Sequence, residues 1–408
     1  MFDVEACRRQ FPALQCKIDG HFPLFLDGPG GTQVPQRVLD AMTHYLSVCN
    51  SNRGGCFTTS RESDALLDEA HRAAADLLNA PSPEEIVFGA NMTTLTFHLS
   101  RAFARTLRPG DEILVTRLDH DANVSPWMLA ARDAGASANL VDIHPGDCTL
   151  DLDDFRRRLT PHVRLVAVTC ASNLVGSVND VRTLAQWVHE AGALLYLDAV
   201  HYAPHRSIDV QEWDCDFLVC SAYKFFGPHV GLLWGKSNLL RRLPAYKLRP
   251  ATNELPGRWM TGTQNHEGLV GVTAAIEYLA SLGEGATRRE RLVAAFAAIH
   301  ERETMLADRL LDGLAARPRF RVWGISLPER RAERVPTVAI TADDATPSQL
   351  AEHLAKREIY TWNGNMYALE LTERLGVEDH GGLLRLGLTH YNTIEEIDRL
   401  LQALDERS

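Results

Sequence analysis

Short apolar runs recur along the chain, each closing on polar residues, with amphipathic stretches between them. Ile86-Val87-Phe88, Ile113-Leu114-Val115, Leu165-Val166-Ala167-Val168, Leu194-Leu195-Tyr196-Leu197 and Phe217-Leu218-Val219-Cys220 are continuous rather than alternating. Strands covered on both faces read this way, as in a parallel sheet flanked by helices. Between them Leu95, Leu99, Ala102 and Phe103 keep helical spacing. Alternating strands and helices predict an α/β fold, a large lobe whose mostly parallel sheet is sandwiched by helices.

Later the pattern changes. Helices are expected over 268–282 and 288–315, and strands near 319–323, 337–340 and 383–388, which makes a smaller C-terminal α+β lobe. The last helix opens with a capping-box pair, Thr393 and Glu396, and buries Ile394, Ile397, Leu400, Leu401 and Leu404. The chain divides into an N-terminal arm (1–20) packing with the small lobe, a large domain (21–266), and connecting helices with the small domain (267–408).

Chemistry gathers where the strands end, the edge at which open α/β sheets bind ligands. One run closes on Asp198, and the next delivers Lys224 from a Gly- and Pro-punctuated loop. An amine and a carboxylate so placed suit pyridoxal phosphate: the amine forms a Schiff base and the carboxylate keeps the ring nitrogen protonated. Taken singly, each is equally readable as a solvated loop-tip charge. Thr93 and Thr94 begin a helix and either bind an anion or cap it. Gly28-Pro29-Gly30-Gly31 is a close-approach loop or a plain turn, and Arg53 lies in a flexible basic loop.

Composition narrows the partners. The 408 residues carry 53 acidic and 42 basic side chains, a net charge of −11, which argues against nucleic acid or anionic membrane and for a small molecule. The acidic start and the absence of a long apolar run make the cytoplasm the expected location. Eight cysteines without a CxxC pair indicate neither a disulfide framework nor a zinc site. His201 and His205 are four apart, but Pro204 between them disfavours a helical metal pair, so no metal is expected.

With these residues in hand, from Leu26-Asp27-Gly28-Pro29-Gly30-Gly31 to the last helix, the chain resembles the fold-type I, class V aminotransferase superfamily, and within it the cysteine desulfurase-like proteins. The resemblance implies that Lys224 carries the cofactor and acts in catalysis with His120, which stacks on the ring. It implies Asp198 at the pyridine nitrogen, Thr93, Thr94, Ser221 and Tyr223 at the phosphate, and Asn173 near the ring oxygen and the substrate. His201 is expected to donate a hydrogen bond to the phenolic oxygen. Thr263 would reach the phosphate of a neighbouring subunit, hence a homodimer with its active site at the interface. Arg385 would clamp the substrate α-carboxylate, with Trp362 and Tyr367 also at the substrate.

One departure matters. Desulfurases carry a nucleophilic cysteine on a small-lobe loop, which here reads Thr361-Trp362-Asn363-Gly364-Asn365-Met366-Tyr367-Ala368. Tyr367 takes the cysteine position and Trp362 stands where some relatives have arginine. The last cysteine is Cys220, and Cys56 is the remote substitute. The resemblance therefore implies a lyase-type reaction at Cβ of a small L-amino acid, through an external aldimine and a Cα carbanion but without an enzyme persulfide. Transamination, epimerisation, or a non-catalytic cofactor-binding or sulfur-trafficking role are the alternatives.

Overall fold

The computed structural model describes residues 2–18 and 20–406. Seven strands form the large sheet: β1 (Ile86–Gly89), β2 (Glu112–Thr116), β3 (Ser137–Val141), β4 (Val163–Thr169), β5 (Leu194–Asp198), β6 (Phe217–Ser221) and β7 (Gly231–Gly235). Their order is β1-β7-β6-β5-β4-β2-β3. The run from β3 to β6 is parallel, and β7 lies antiparallel to both of its neighbours. The carboxyl ends of β1, β2, β4, β5 and β6 therefore share one edge of the sheet. β6 is buried along its whole length, β4 from Leu165 onward and β5 from Leu195 onward, as their apolar runs require.

Helices α1 (Gln36–His44), α2 (Thr58–Leu78), α3 (Met92–Ala104), α4 (His266–Ala280) and α5 (Arg288–Ala315) build the framework around this sheet. Two cores meet along α5. Its Leu292, Phe296 and Ile299 belong to the large-lobe core, while Leu306, Leu310, Leu311 and Leu314 belong to the small-lobe core. A single rigid helix thus spans both lobes, started by a capping box between Thr287 and Glu290.

The small lobe is an antiparallel sheet of β8 (Phe320–Trp323), β9 (Thr337–Ala342), β10 (Trp362–Gly364) and β11 (Leu383–Gly387), ordered β8-β9-β11-β10. The last helix, α6 (Ile394–Asp405), has the expected capping box.

Packing departs from the sequence-based division in three places. Leu269, Val272, Ile276, Tyr278 and Leu279 of α4 lie in the large-lobe core, because that helix is apolar on most of its surface. Leu24 and Leu26 lie in the small-lobe core, and Leu24–Phe25 pairs in parallel with Ile359–Tyr360. The arm touches both lobes: Phe11 meets Phe226, Tyr278 and Tyr391 edge-on, and Arg8 pairs with Glu396 at 2.8 Å. The Arg53 loop is also pinned rather than free, since its guanidinium bonds Asp64 and Asp68 at 2.9 and 2.7 Å.

Candidate active site

A cavity of about 860 Å³ opens at the carboxyl edge of the large sheet, under the β10 strand and the 361–368 loop of the small lobe. Every site residue expected from the sequence lines it except Thr263, which sits on an exposed loop ahead of α4. β6 ends in Ser221 and turns sharply into Tyr223 and Lys224, while β5 ends in Asp198.

Lys224 Nζ donates to the Pro29 carbonyl and lies 4.8 Å from the centre of the Tyr223 ring. Burial, reinforced by the nearby Arg385 charge, brings its amine down to about 7, against the opposing pull of Asp198 and Asp27. Asp198 is buried and lifted to about 6 for the same first reason, while the Val200 N–H donating to its Oδ1 at 2.8 Å and the Lys224 charge act the other way. Burial also raises Asp27 to about 6, and its Oδ1 has no hydrogen-bond partner.

His120 is set as a tautomer. Its Nδ1 accepts the Ala122 N–H at 3.0 Å, so the neutral ring carries its proton on Nε2. Burial, then the Lys224 and Arg385 charges, takes it down to about 4. Tyr367 lies over it nearly parallel, ring centres 5.3 Å apart. His201 is held well below its ordinary range by burial, and its Nε2 is within 2.9 Å of Thr337 Oγ1. His205 Nδ1 is 2.8 Å from Glu303. Among the described residues, no group of three or more metal-ligating side chains is assembled.

The start of α3 faces the same space. Asn91 caps it by accepting the Thr94 N–H at 2.9 Å, and the Thr94 hydroxyl donates to the same oxygen. Ser221 Oγ accepts the Met92 N–H at 2.9 Å and so keeps its own proton to donate outward. Together these place hydroxyls at the positive end of a thirteen-residue helix, a fitting place for an anion.

Across the cavity, Arg385 is buried in β11. It donates to the Asn173 carbonyl at 2.9 Å and leaves its Nε without a partner. Burial lowers it only to about 9, so the guanidinium keeps its charge at neutral pH. Asn173 donates to the Met366 carbonyl at 2.9 Å and leaves its own Oδ1 unpartnered. The Asp121 N–H donates to the Tyr367 carbonyl at 2.7 Å, so two hydrogen bonds tie the mouth loop to the large lobe. Met366 and Tyr367 both adopt left-handed backbone angles there (φ 47° and 60°). Tyr367 and Trp362 are 71% and 53% exposed, which puts them at the rim. None of the eight cysteines lines the cavity, and Cys56 is exposed outside it.

Several lining residues had no assigned role in the sequence: Pro29, Asn91, His229, Asn363, Asn365 and Met366. His229 lies face to face with Tyr223, ring centres 4.9 Å apart. Asn91 was findable as the polar residue that caps a helix directly after a strand, and His229 as the residue leading into β7.

Among the described residues, no helix is long and apolar enough to cross a membrane. The sequence profile of the family described as Aminotransferase class-V matches residues 24–400. The chain is 35% identical to the aminotransferase-like protein FGM3 of Gibberella zeae, with 99% of this chain and 98% of that protein covered. It is 31% identical to a probable cysteine desulfurase of Synechocystis, with 97% and 94% covered. Among solved structures, the cysteine desulfurase CsdA of Escherichia coli superposes with a TM-score of 0.86 at 28% identity, over 99% of this chain and 98% of that one. A cysteine desulfurase of Thermococcus onnurineus shares the fold, with a TM-score of 0.88 at 24% identity over 100% and 98% of the two chains. Matched along almost its whole length by family, relatives and fold, the chain belongs to the class V aminotransferase family of pyridoxal-phosphate-dependent enzymes.

Proposed function

We propose that the cavity holds pyridoxal phosphate together with an L-amino acid and performs a lyase-type reaction at the substrate Cβ, with no sulfur stored on the enzyme. The convergence of Lys224, Asp198 and Arg385 in one cavity that no cysteine lines carries this reading. The residues present fit the cofactor. Asp198 has one oxygen engaged by Val200 and one left for a ring N–H, and Asn173 Oδ1 is buried without a partner. Thr93, Thr94, Ser221 and Tyr223 at the start of α3 would hold the phosphate, His120 would offer a flat neutral face, and Asn173 and His201 would attend the ring oxygen. Bound there, pyridoxal phosphate supplies an electron sink for the pair left when a bond to Cα or Cβ breaks.

The chain's own groups do the rest. Lys224, with its amine near 7, has a large unprotonated fraction at neutral pH and can take a proton from the substrate Cα and return it. Arg385 presents a buried guanidinium fork to the α-carboxylate, and such a fork fixes orientation as well as position. Tyr367 and Trp362 narrow the mouth and limit the entry of water. A phenol at the tip of that loop cannot accept sulfur as a thiolate does. In a homodimer Thr263, exposed ahead of α4, would reach the phosphate site of the second copy.

Mass spectrometry of products from the cofactor-loaded protein, incubated separately with L-cysteine, L-aspartate and a pool of other amino acids, tests the reading. A keto acid or a Cβ-cleavage product without sulfide is expected, and Lys224→Ala should abolish it. Full activity in that variant would overturn the assignment. Transamination by the same residues is the second reading, favoured by the name of the Gibberella relative. Stoichiometric conversion of the cofactor to its amine form would select it.

A further inference from the structure

We propose that the amino acid accepted here carries an uncharged, bulky side chain, and that Trp362 selects it. This rests on the reading that Arg385 holds the substrate α-carboxylate. Trp362 and Arg385 are direct cross-strand partners in the antiparallel β10–β11 pair, and both line the cavity. Residues so paired share a face, with Cβ atoms roughly 4.5–5.5 Å apart. A carboxylate seated on Arg385 therefore brings the rest of the amino acid within reach of the indole.

The indole is backed from the other side. A Cβ built on Gly30 would lie 2.5 Å from Trp362 Nε1 and 2.9 Å from Cδ1, so the ring rests directly on the glycine-rich loop. The next residue back in that loop, Pro29, accepts the Lys224 hydrogen bond. Packed on one side and 53% exposed overall, Trp362 keeps open surface for a ligand to cover. An aromatic or branched side chain covers such a surface well.

Charge excludes the acidic alternative. Among the described residues, Arg385 is the one permanent cation lining the cavity, and the α-carboxylate would take it. Lys224 donates to Pro29 and would carry the cofactor, while burial keeps His120 and His201 neutral. His229 is stacked on Tyr223. A side-chain carboxylate would find hydroxyl and amide donors but no second permanent cation among the described lining residues, and a charge without an opposite charge is disfavoured there.

The test titrates cofactor-loaded protein with L-phenylalanine, L-alanine and L-aspartate and follows the absorbance band of the bound cofactor. Wild-type protein should bind phenylalanine at least about tenfold more tightly than aspartate, and Trp362→Ala should lose roughly tenfold for phenylalanine and clearly less than that for alanine. Trp362→Arg, which supplies a second cation beside Arg385, should shift the preference toward aspartate by about tenfold or more. An unchanged cofactor band in each ligand-free variant shows that the site is intact. Equal affinity for aspartate and phenylalanine in the wild type, or no loss in Trp362→Ala, overturns the proposal and leaves the amino-acid reading standing. If no amino acid moves the band of the loaded wild-type protein, the amino-acid reading falls and takes the proposal with it.

Discussion

Replacing Arg385 with methionine should raise the pH at which Lys224 gives up its proton. Burial is the first cause of the low value, about 7, and the Arg385 charge is the second. Methionine keeps the length and apolar bulk of the stem while removing the charge. Two like charges several ångströms apart, at an effective dielectric constant of about 20, repel by roughly 2 kcal/mol. That is a rise of about one and a half in the lysine pKa, to about 8 or higher, still below the ordinary 10.4 because burial remains. The rate at which cofactor-free protein takes up pyridoxal phosphate, followed by absorbance across pH 5–10, reports the unprotonated fraction of Lys224. Its midpoint should lie near 7 in the wild type and move up in Arg385→Met. Asp27→Asn should move it down, because the Asp27 charge favours the protonated lysine. A midpoint that stays fixed or falls in Arg385→Met would refute the electrostatic coupling across the cavity.

Two further outcomes follow from the packing. Asp198 binds its proton up to about pH 6 when folded and to about 3.8 when unfolded, so between those values the folded state binds more protons and stability falls as pH rises. Asp198→Asn should therefore stabilise the cofactor-free protein at pH 7.5 by about 1–3 kcal/mol in denaturant unfolding, with the gain vanishing below about pH 4, while cofactor function is lost. Gly387→Ala would drive a methyl group into the Pro29 ring, a rigid neighbour whose carbonyl holds Lys224. A loss of about 1–3 kcal/mol in stability is expected, with weaker cofactor binding; unchanged unfolding and unchanged affinity would contradict that packing.

What the sequence made legible is what local pattern controls. Strands β4, β5 and β6 are readable because a strand buried on both faces must be continuously apolar, and the residues ending them, Thr169, Asp198 and Ser221, are polar because they face a cavity. Helix α6 was marked by its capping-box pair, Thr393 and Glu396, and by its apolar periodicity. Strand β10 was not legible: Trp362 and Asn363 are exposed, so no burial pattern marks them, and its place is set by pairing with β11. Strand β3, with only Val141 fully buried, was missed for the same reason. The pairing of Leu24–Phe25 with Ile359–Tyr360, the stacking of His229 on Tyr223, and the hydrogen bonds holding Met366 and Tyr367 join residues far apart in the chain or depend on side-chain geometry. Local propensity carries no signal for such contacts.

The most direct test of the account is borohydride reduction of the cofactor-loaded protein followed by peptide mapping. Reduction fixes the cofactor to the amine that carries it. The account predicts a single modified residue, Lys224, whose labelling disappears in Lys224→Ala. Label on another lysine, or stoichiometric cofactor binding with no covalent attachment, would contradict it.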